Sequence, residues 1–571
     1  MAALCVAAIT TAILLYERAA PIDTRLVKLS VAPPEGTTFD VVTVSPDGRW
    51  LAFTAVDASG KLKLWVRPLD SVDARALPGT EGAAFPFWSP DSQQLAFTAE
   101  GQLRKIAVSG GPPQTISTGD SGRGAMWARN GMIVFTDGST SPLMQVSADG
   151  GAPSPITRLD VSKHETSHRW PQVLPDGRHF VFTVRSSEND VPGIYLGSFD
   201  SPSRTRLVAE LSNAAYVTAP SGIGYLLFAR GRSLLAQPLD LTARRLVGEP
   251  TVVTEKVWYS GERSRAAFSV SDTGVLVFDT VTRGRDTELA WFDRTGARRG
   301  SFGPFAPTRI SLYPDAARLA LDNFEETGTS KIWTVDVARG NPVRFTSAGN
   351  DSEWTPIWSP DGTRIAFGSE GGIFERSTDR IGERSQLLKS DQLVRLNDWS
   401  REGRFLAYRQ QPKGDLWLLP MSGADRKPIS FLQNGNNVAF SPDSKFVAYD
   451  SDESGNREVY VRPLLQSGEA GGSTWRVSNG GGRYPRWRAD GRELFYFAND
   501  LAALTAVPVA SASQFDPGAP NVLFHGRLNT GITATFDVTP DGQRFFIAAP
   551  APADASTSAT IVLNWMSALK K

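Results

Sequence analysis

Twelve times the chain repeats a short turn that runs straight into an apolar strand, and that repeat limits it to architectures built from many small sheets. The clearest copies are Ser45-Pro46-Asp47-Gly48 before Leu51-Ala52-Phe53 and Ser359-Pro360-Asp361-Gly362 before Ile365-Ala366-Phe367. Ser89-Pro90-Asp91-Ser92 and Ser441-Pro442-Asp443-Ser444 lead into Leu95-Ala96-Phe97 and Val447-Ala448-Tyr449. Looser copies centre on Asn130, Asp176, Ser221, Asp272, Asp315, Glu402, Asp490 and Asp541. Anchor-to-anchor steps run from 39 residues (Asp91 to Asn130) to 51 (Ser221 to Asp272). That is the length of one four-stranded propeller blade.

The turn has a mechanical logic. Proline presets φ for the first corner of a type I turn, Asp tolerates the bridge region that follows, and Gly accepts the positive φ that completes the reversal. A third apolar element follows about ten residues later, as in Leu64-Trp65-Val66, Ile332-Trp333-Thr334-Val335 and Val459-Tyr460-Val461. Fifty-two Gly and 38 Pro suit short strands joined by tight turns. No stretch within the repeats keeps a 3.6-residue apolar period. The fold expected is all-β: two tandem β-propellers of six four-stranded blades each, after a short N-terminal apolar helix. Seven plus five blades is the weaker division. The expected domains are residues 1–20, 21–295 and 296–571. The boundary is set by reading Leu289–Asp293 as the third strand of the sixth repeat. Ile561–Trp565 ends the last repeat, and Leu26–Val31 is left to complete a C-terminal blade of either ring, protecting its edges.

Ala2 to Tyr16 carries no charge and ends at Glu17-Arg18. As a helix, fifteen residues span roughly 22 Å, short of a bilayer core of roughly 30 Å. The segment reads as a membrane anchor through residues 1–16, with an export signal as the alternative; its apolar start at Met1 also suits the tail of a longer transmembrane helix. Sixty basic residues balance 60 acidic ones with no basic block, which argues against nucleic acid. The single cysteine, Cys5, lies in the apolar segment, so no disulfide is expected.

Chemistry is harder to place. His164-Glu165-Thr166-Ser167-His168 spells the H-E-x-x-H zinc pattern, which needs both imidazoles one helical turn apart. Its flanking prolines and the turn at Pro175-Asp176-Gly177 indicate a loop entering a strand instead. Asp322-Asn323 and Asp450-Ser451-Asp452-Glu453-Ser454 lack EF-hand spacing and read as hairpins. No nucleophile elbow, phosphate loop or kinase motif is present. No catalytic residue, metal or cofactor is therefore expected, and the chain reads as a non-enzyme. Binding is expected on the loops leading into the innermost strands, which carry Arg123, His168, Arg169, Glu353, Trp354, Arg395, Arg483 and Tyr484. Each of these also serves as an ordinary partner for a carbonyl or a neighbouring blade.

The Ser-Pro-Asp-Gly-x-x-(Leu/Ile)-Ala-Phe repeats resemble those of TolB-like periplasmic propellers, which are six-bladed and protein-binding. Four phrases resemble the extracytoplasmic half of acidobacterial transmembrane serine/threonine kinases: Val66-Arg67-Pro68-Leu69-Asp70, Ser167-His168-Arg169-Trp170-Pro171, Trp475-Arg476-Val477-Ser478 and Val562-Leu563-Asn564-Trp565. In those chains a kinase domain precedes a membrane helix, and no kinase segment is found here. The resemblance implies a single-pass membrane protein with periplasmic propellers that bind a protein, a peptide or a glycan as sensor or scaffold. The alternative is a propeller serving a hydrolase or peptidase.

Overall fold

The structure is a computed structural model. It describes residues 25–570 except 58–61, 120–121, 139, 187, 189, 262, 281–286, 303–304, 306, 308, 314, 326–328, 348–350, 380–382, 412–413, 424–425, 499–502, 511–514, 526–535 and 551–557. The apolar segment assigned to the membrane lies outside these residues. Among the described residues no helix is long and apolar enough to cross a membrane.

The turn repeat forms as its chemistry dictates. In the first copy Ser45 Oγ donates to Asp47 Oδ1 (2.5 Å) and accepts from the Trp50 amide (2.9 Å), while Gly48 sits at φ +71°. The same pair of bonds recurs at Ser89, Ser359 and Ser441, and with threonine at Thr539. Hydrogen bonds from Ser359 and the Thr363 amide hold the Asp361 carboxyl down at about 2, so the turn keeps its charged acceptor.

Among the described residues, twelve antiparallel sheets of four or five strands follow, in two closed rings of six blades. Innermost strands beginning at Thr37, Ala84, Ala125, Glu165, Ala214 and Phe268 neighbour one another in a cycle. Those beginning at Ile310, Glu353, Val394, Gly435, Gly482 and Phe536 form the second. Each of the twelve blade–blade interfaces holds its own apolar cluster. The Leu-Ala-Phe signature is explained by these interfaces. In the second blade Leu95 and Phe97 pack against the preceding blade, and Ala96 meets the following one. Ile365, Phe367 and Ala366 repeat the pattern, as do Val447, Tyr449 and Ala448. Large side chains on one face and alanine on the other let consecutive sheets nest closely.

Ring closure departs from the contiguous division 21–295 and 296–571. Phe268–Val270 and Leu276–Phe278 do not take Leu289–Asp293 as their third strand. That position is filled by Ala559–Leu563 from the end of the chain, and Val27–Val31 completes the sheet. Reciprocally, Phe536–Val538 and Arg544–Pro550 take Thr287–Asp293 and then Arg298–Phe302. The two third strands are exchanged: each turn repeat is completed by the strand that adjacency in sequence assigns to the other ring. Both are short apolar strands of similar pattern, so periodicity cannot tell them apart. Residues 287–550 thus contain every strand of the second ring, which is inserted within the last blade of the first.

Two outcomes follow from this topology and packing. A fragment of residues 287–550 is expected to fold alone, whereas deleting 559–571 from the full chain should expose amides of 268–278 to hydrogen exchange and leave the second ring protected. Ala448→Leu overfills a fully buried site and should cost about 1–3 kcal/mol in denaturant unfolding.

Candidate functional site

The inner strands are bent in a repeated way that also aims their side chains. Phe85, Trp170, Thr355, Asn437 and Tyr484 all have φ between 49° and 60°. At each of them the pairing with the second strand slips by a residue. In four the next residue is proline, and each lies four positions before the first residue of the following turn repeat. A bulge of this kind places two residues opposite one and bends the strand. It is legible as an X-Pro pair at fixed spacing, a signal the sequence reading noted only at Trp170-Pro171 and did not use.

Side chains also staple one blade to the next. Asp398 Oδ2 accepts the Phe440 amide, Asp537 Oδ2 the Leu312 amide (2.8 Å each), and Thr355 Oγ1 the Leu396 amide (2.9 Å). Asp322 Oδ2 accepts the Thr355 amide (2.9 Å) and Asp450 Oδ2 the Tyr484 amide (3.0 Å). The two Asp-bearing segments read as hairpins place Asp322 and Asp450 inside second strands, Arg318–Phe324 and Phe446–Ser451, and each supplies a staple.

The eight expected residues divide between the rings. Arg123, His168 and Arg169 belong to the first and are buried. His168 is fully enclosed: Nδ1 meets Thr157 Oγ1 at 2.8 Å, Nε2 lies 3.2 Å from Glu165 Oε2, and Arg204 Nη1 is 2.9 Å from the same nitrogen. Burial, with the Arg204 charge, holds this imidazole below its usual range. His164 instead ends a 3-10 turn, is exposed, and meets Glu188 at 2.6 Å. The H-E-x-x-H residues therefore run from a turn into a strand, and the two imidazoles bond different partners. Among the described residues no group of acidic, His or Cys side chains is arranged to hold a metal.

A hairpin not foreseen from sequence covers the mouth of the first ring. Tyr259–Ser260 pairs with Arg265–Ala266 ahead of the sixth blade, and the described residues around them reach the second, fourth and fifth blades. Arg263 O accepts Trp170 Nε1 (2.8 Å), and the Arg263 guanidinium lies 5.2 Å over Phe85 in the second blade. Arg185 donates to Gly261 O (3.0 Å) and Ser264 Oγ (2.9 Å), and the Ala266 amide to Asn213 Oδ1 (2.7 Å). The equivalent residues before the last blade of the second ring, 526–535, lie outside the described residues.

Glu353, Trp354, Arg395, Arg483 and Tyr484 belong to the second ring. Trp354 bridges two blades through Nε1 to Val394 O (2.5 Å), and the Tyr484 ring packs in an apolar cluster. Glu353 is buried 3.9 Å from the ammonium of Lys331, itself only 2% exposed, and burial pushes its carboxyl up. Arg384 Nη1 lies 3.6 Å from Glu353, and Nη2 2.7 Å from Asp351. Nearby Glu370 is raised to about 7, by burial first and also by the Asp351 charge. Lys331, Glu370 and Arg384 escaped the sequence reading because they lie on a third strand and in the connections after second and third strands, outside the loops that lead into inner strands.

No model of a protein family matches the chain. A stretch of 148 residues, 26% of this chain, is 28% identical to an uncharacterized peptidase, YuxL, of Bacillus subtilis (strain 168), and spans 22% of that protein. An uncharacterized protein, Atu1656, of Agrobacterium fabrum is 26% identical over 199 residues, covering 32% of this chain and 67% of that one. Among solved structures, a putative TolB from Agrobacterium tumefaciens aligns with 47% of this chain and 99% of its own at 15% identity and a TM-score of 0.37. The tricorn protease aligns with 85% and 63% at 13% identity and a TM-score of 0.30. The fold assignment stands on the strand pairing itself.

The Glu370 carboxyl gives a test by pH. Its folded value lies above the 4.5 of the free group, so the folded state holds its proton between about 4.5 and 7. The charge therefore weakens the fold above about 7, and the penalty disappears as pH falls to about 4.5. Glu370→Gln should raise Tm at pH 8 and change it little at pH 4.5.

Proposed function

We propose that this protein is a membrane-tethered, extracytoplasmic double propeller that binds a protein or peptide at a ring mouth and acts as sensor or scaffold. The observation that carries the reading is the concentration of charged side chains at the starts of the inner strands, on a frame rigid enough to hold them. Bulges and blade-to-blade staples fix those starts, which is what a pre-organised binding surface needs. The uncharged run Ala2–Tyr16, ten residues before the first described strand region, supports the tether. The resemblance to receptor kinase sensor regions supports a role in signalling, with any kinase acting from another polypeptide or segment.

A second reading has one observation in its favour, the stretch shared with a protein called a peptidase. In that case the rings would present substrate to a hydrolase.

Affinity capture with the full chain from detergent-solubilised native membranes tests both. The binding reading expects a specific envelope protein or peptide, lost with either Arg169→Ala in the first ring or Arg483→Ala in the second; the variant that loses it identifies the ring. Capture unaffected by both variants overturns the assignment to the mouths. Turnover of a peptide library by the purified chain would favour the second reading.

A further inference from the structure

The mouth of the second ring gathers four arginines from neighbouring strands and turns. Arg395 and Arg409 sit directly opposite each other on the first and second strands of the third blade. Like charges in that relation destabilise a sheet. Arg457, in the turn after the second strand of the fourth blade, places Nε 3.9 Å from Asp450 Oδ1. Arg483 begins the fifth blade, and its charge acts on the same carboxylate. These elements belong to three consecutive blades, and all four side chains are at the end where inner strands start and second strands finish.

The buried carboxylates nearby already have other partners. Asp450 is fully buried and already accepts the Tyr484 amide and Asn437 Nδ2 (2.7 Å). Asp452 lies 3.9 Å from Arg457 Nη2 and is largely exposed. Glu458 is committed to the Gly480 and Gly481 amides at 3.2 and 3.0 Å, and to Ser478. Arg409 is held below the usual arginine range by burial and then by the charges of Arg457 and Arg395. The Nε atoms of Arg409 and Arg483 are buried and make no hydrogen bond. Gly414, at φ +78°, leaves the space that the Arg409 guanidinium occupies; a Cβ there would stand 2.9 Å from Nη2.

We propose that Arg395, Arg409, Arg457 and Arg483 form an anion subsite that takes a carboxylate of an acidic peptide. The proposal rests on the binding reading above and names the chemistry of the ligand. Guanidinium forks match a carboxylate in pairs, and a ligand carboxylate would relieve the repulsion between Arg395 and Arg409. A peptide is favoured over an acidic glycan because Tyr484, the residue after Arg483, is turned into the blade interface and offers no face for a sugar to stack on.

The test is titration of the full chain in detergent with hexaglutamate, hexaglutamine and an oligogalacturonate. Hexaglutamate alone should bind, more weakly as salt rises. Arg409→Gln should weaken it about tenfold, and the Arg409→Gln, Arg483→Gln double variant should abolish it. Arg409→Gln should also keep or raise Tm, since it removes a repulsion, which separates lost binding from lost folding. Equal binding of hexaglutamine, or hexaglutamate binding unchanged in the double variant, overturns the subsite. Oligogalacturonate bound as tightly, and lost in the same variants, overturns the peptide assignment. Native-partner capture by wild type that persists in the double variant leaves the binding reading standing while the subsite falls. Hexaglutamate binding without any native partner does the reverse.

Discussion

Everything in this molecule depends on closing two rings of sheets, and closure is achieved by pairing strands remote in sequence. A blade at the seam of a ring has an edge to satisfy on either side of the break. Here Val27–Val31 and Ala559–Leu563 fill the first seam, and Thr287–Asp293 with Arg298–Phe302 the second. Once the seams are closed, every inner strand has a neighbour on both sides and the apolar clusters between blades form an unbroken cycle. The bulges, the staples and the charged mouths acquire fixed positions only because that cycle exists.

Local chemistry made most of the fold legible. The Ser-Pro-Asp-Gly turn works through bonds within six residues, so its twelve copies could be counted, and each copy announces the strand after it. The alternation of large and small residues in Leu95-Ala96-Phe97 or Ile365-Ala366-Phe367 records the two faces of a sheet packed between two others. What sequence reading missed was non-local. Leu289–Asp293 and Ala559–Leu563 carry equivalent apolar patterns, and nothing within either segment specifies its partner sheet.

The candidate site was readable in the same partial way. The rule that loops before inner strands line a mouth found Arg395, Arg483 and Glu353. It could not find Arg409, Arg457, Lys331 or Glu370, which lie on second and third strands and in hairpins. It also gave equal weight to Trp354 and Tyr484, whose side chains are used to join blades. His164 and His168 show the opposite error that a motif invites: spacing in sequence matches a helix, but the backbone is a turn and a strand.

The exchange of third strands has a consequence for how the chain can be taken apart. The backbone passes from the first ring to the second after Phe278 and returns before Ala559. A protease that cuts one of these crossings produces two polypeptides, yet the strands on both sides of the nick stay hydrogen-bonded within intact sheets. Only two cuts free the second ring. Molecules nicked once would migrate as fragments on a denaturing gel while remaining a single particle in solution.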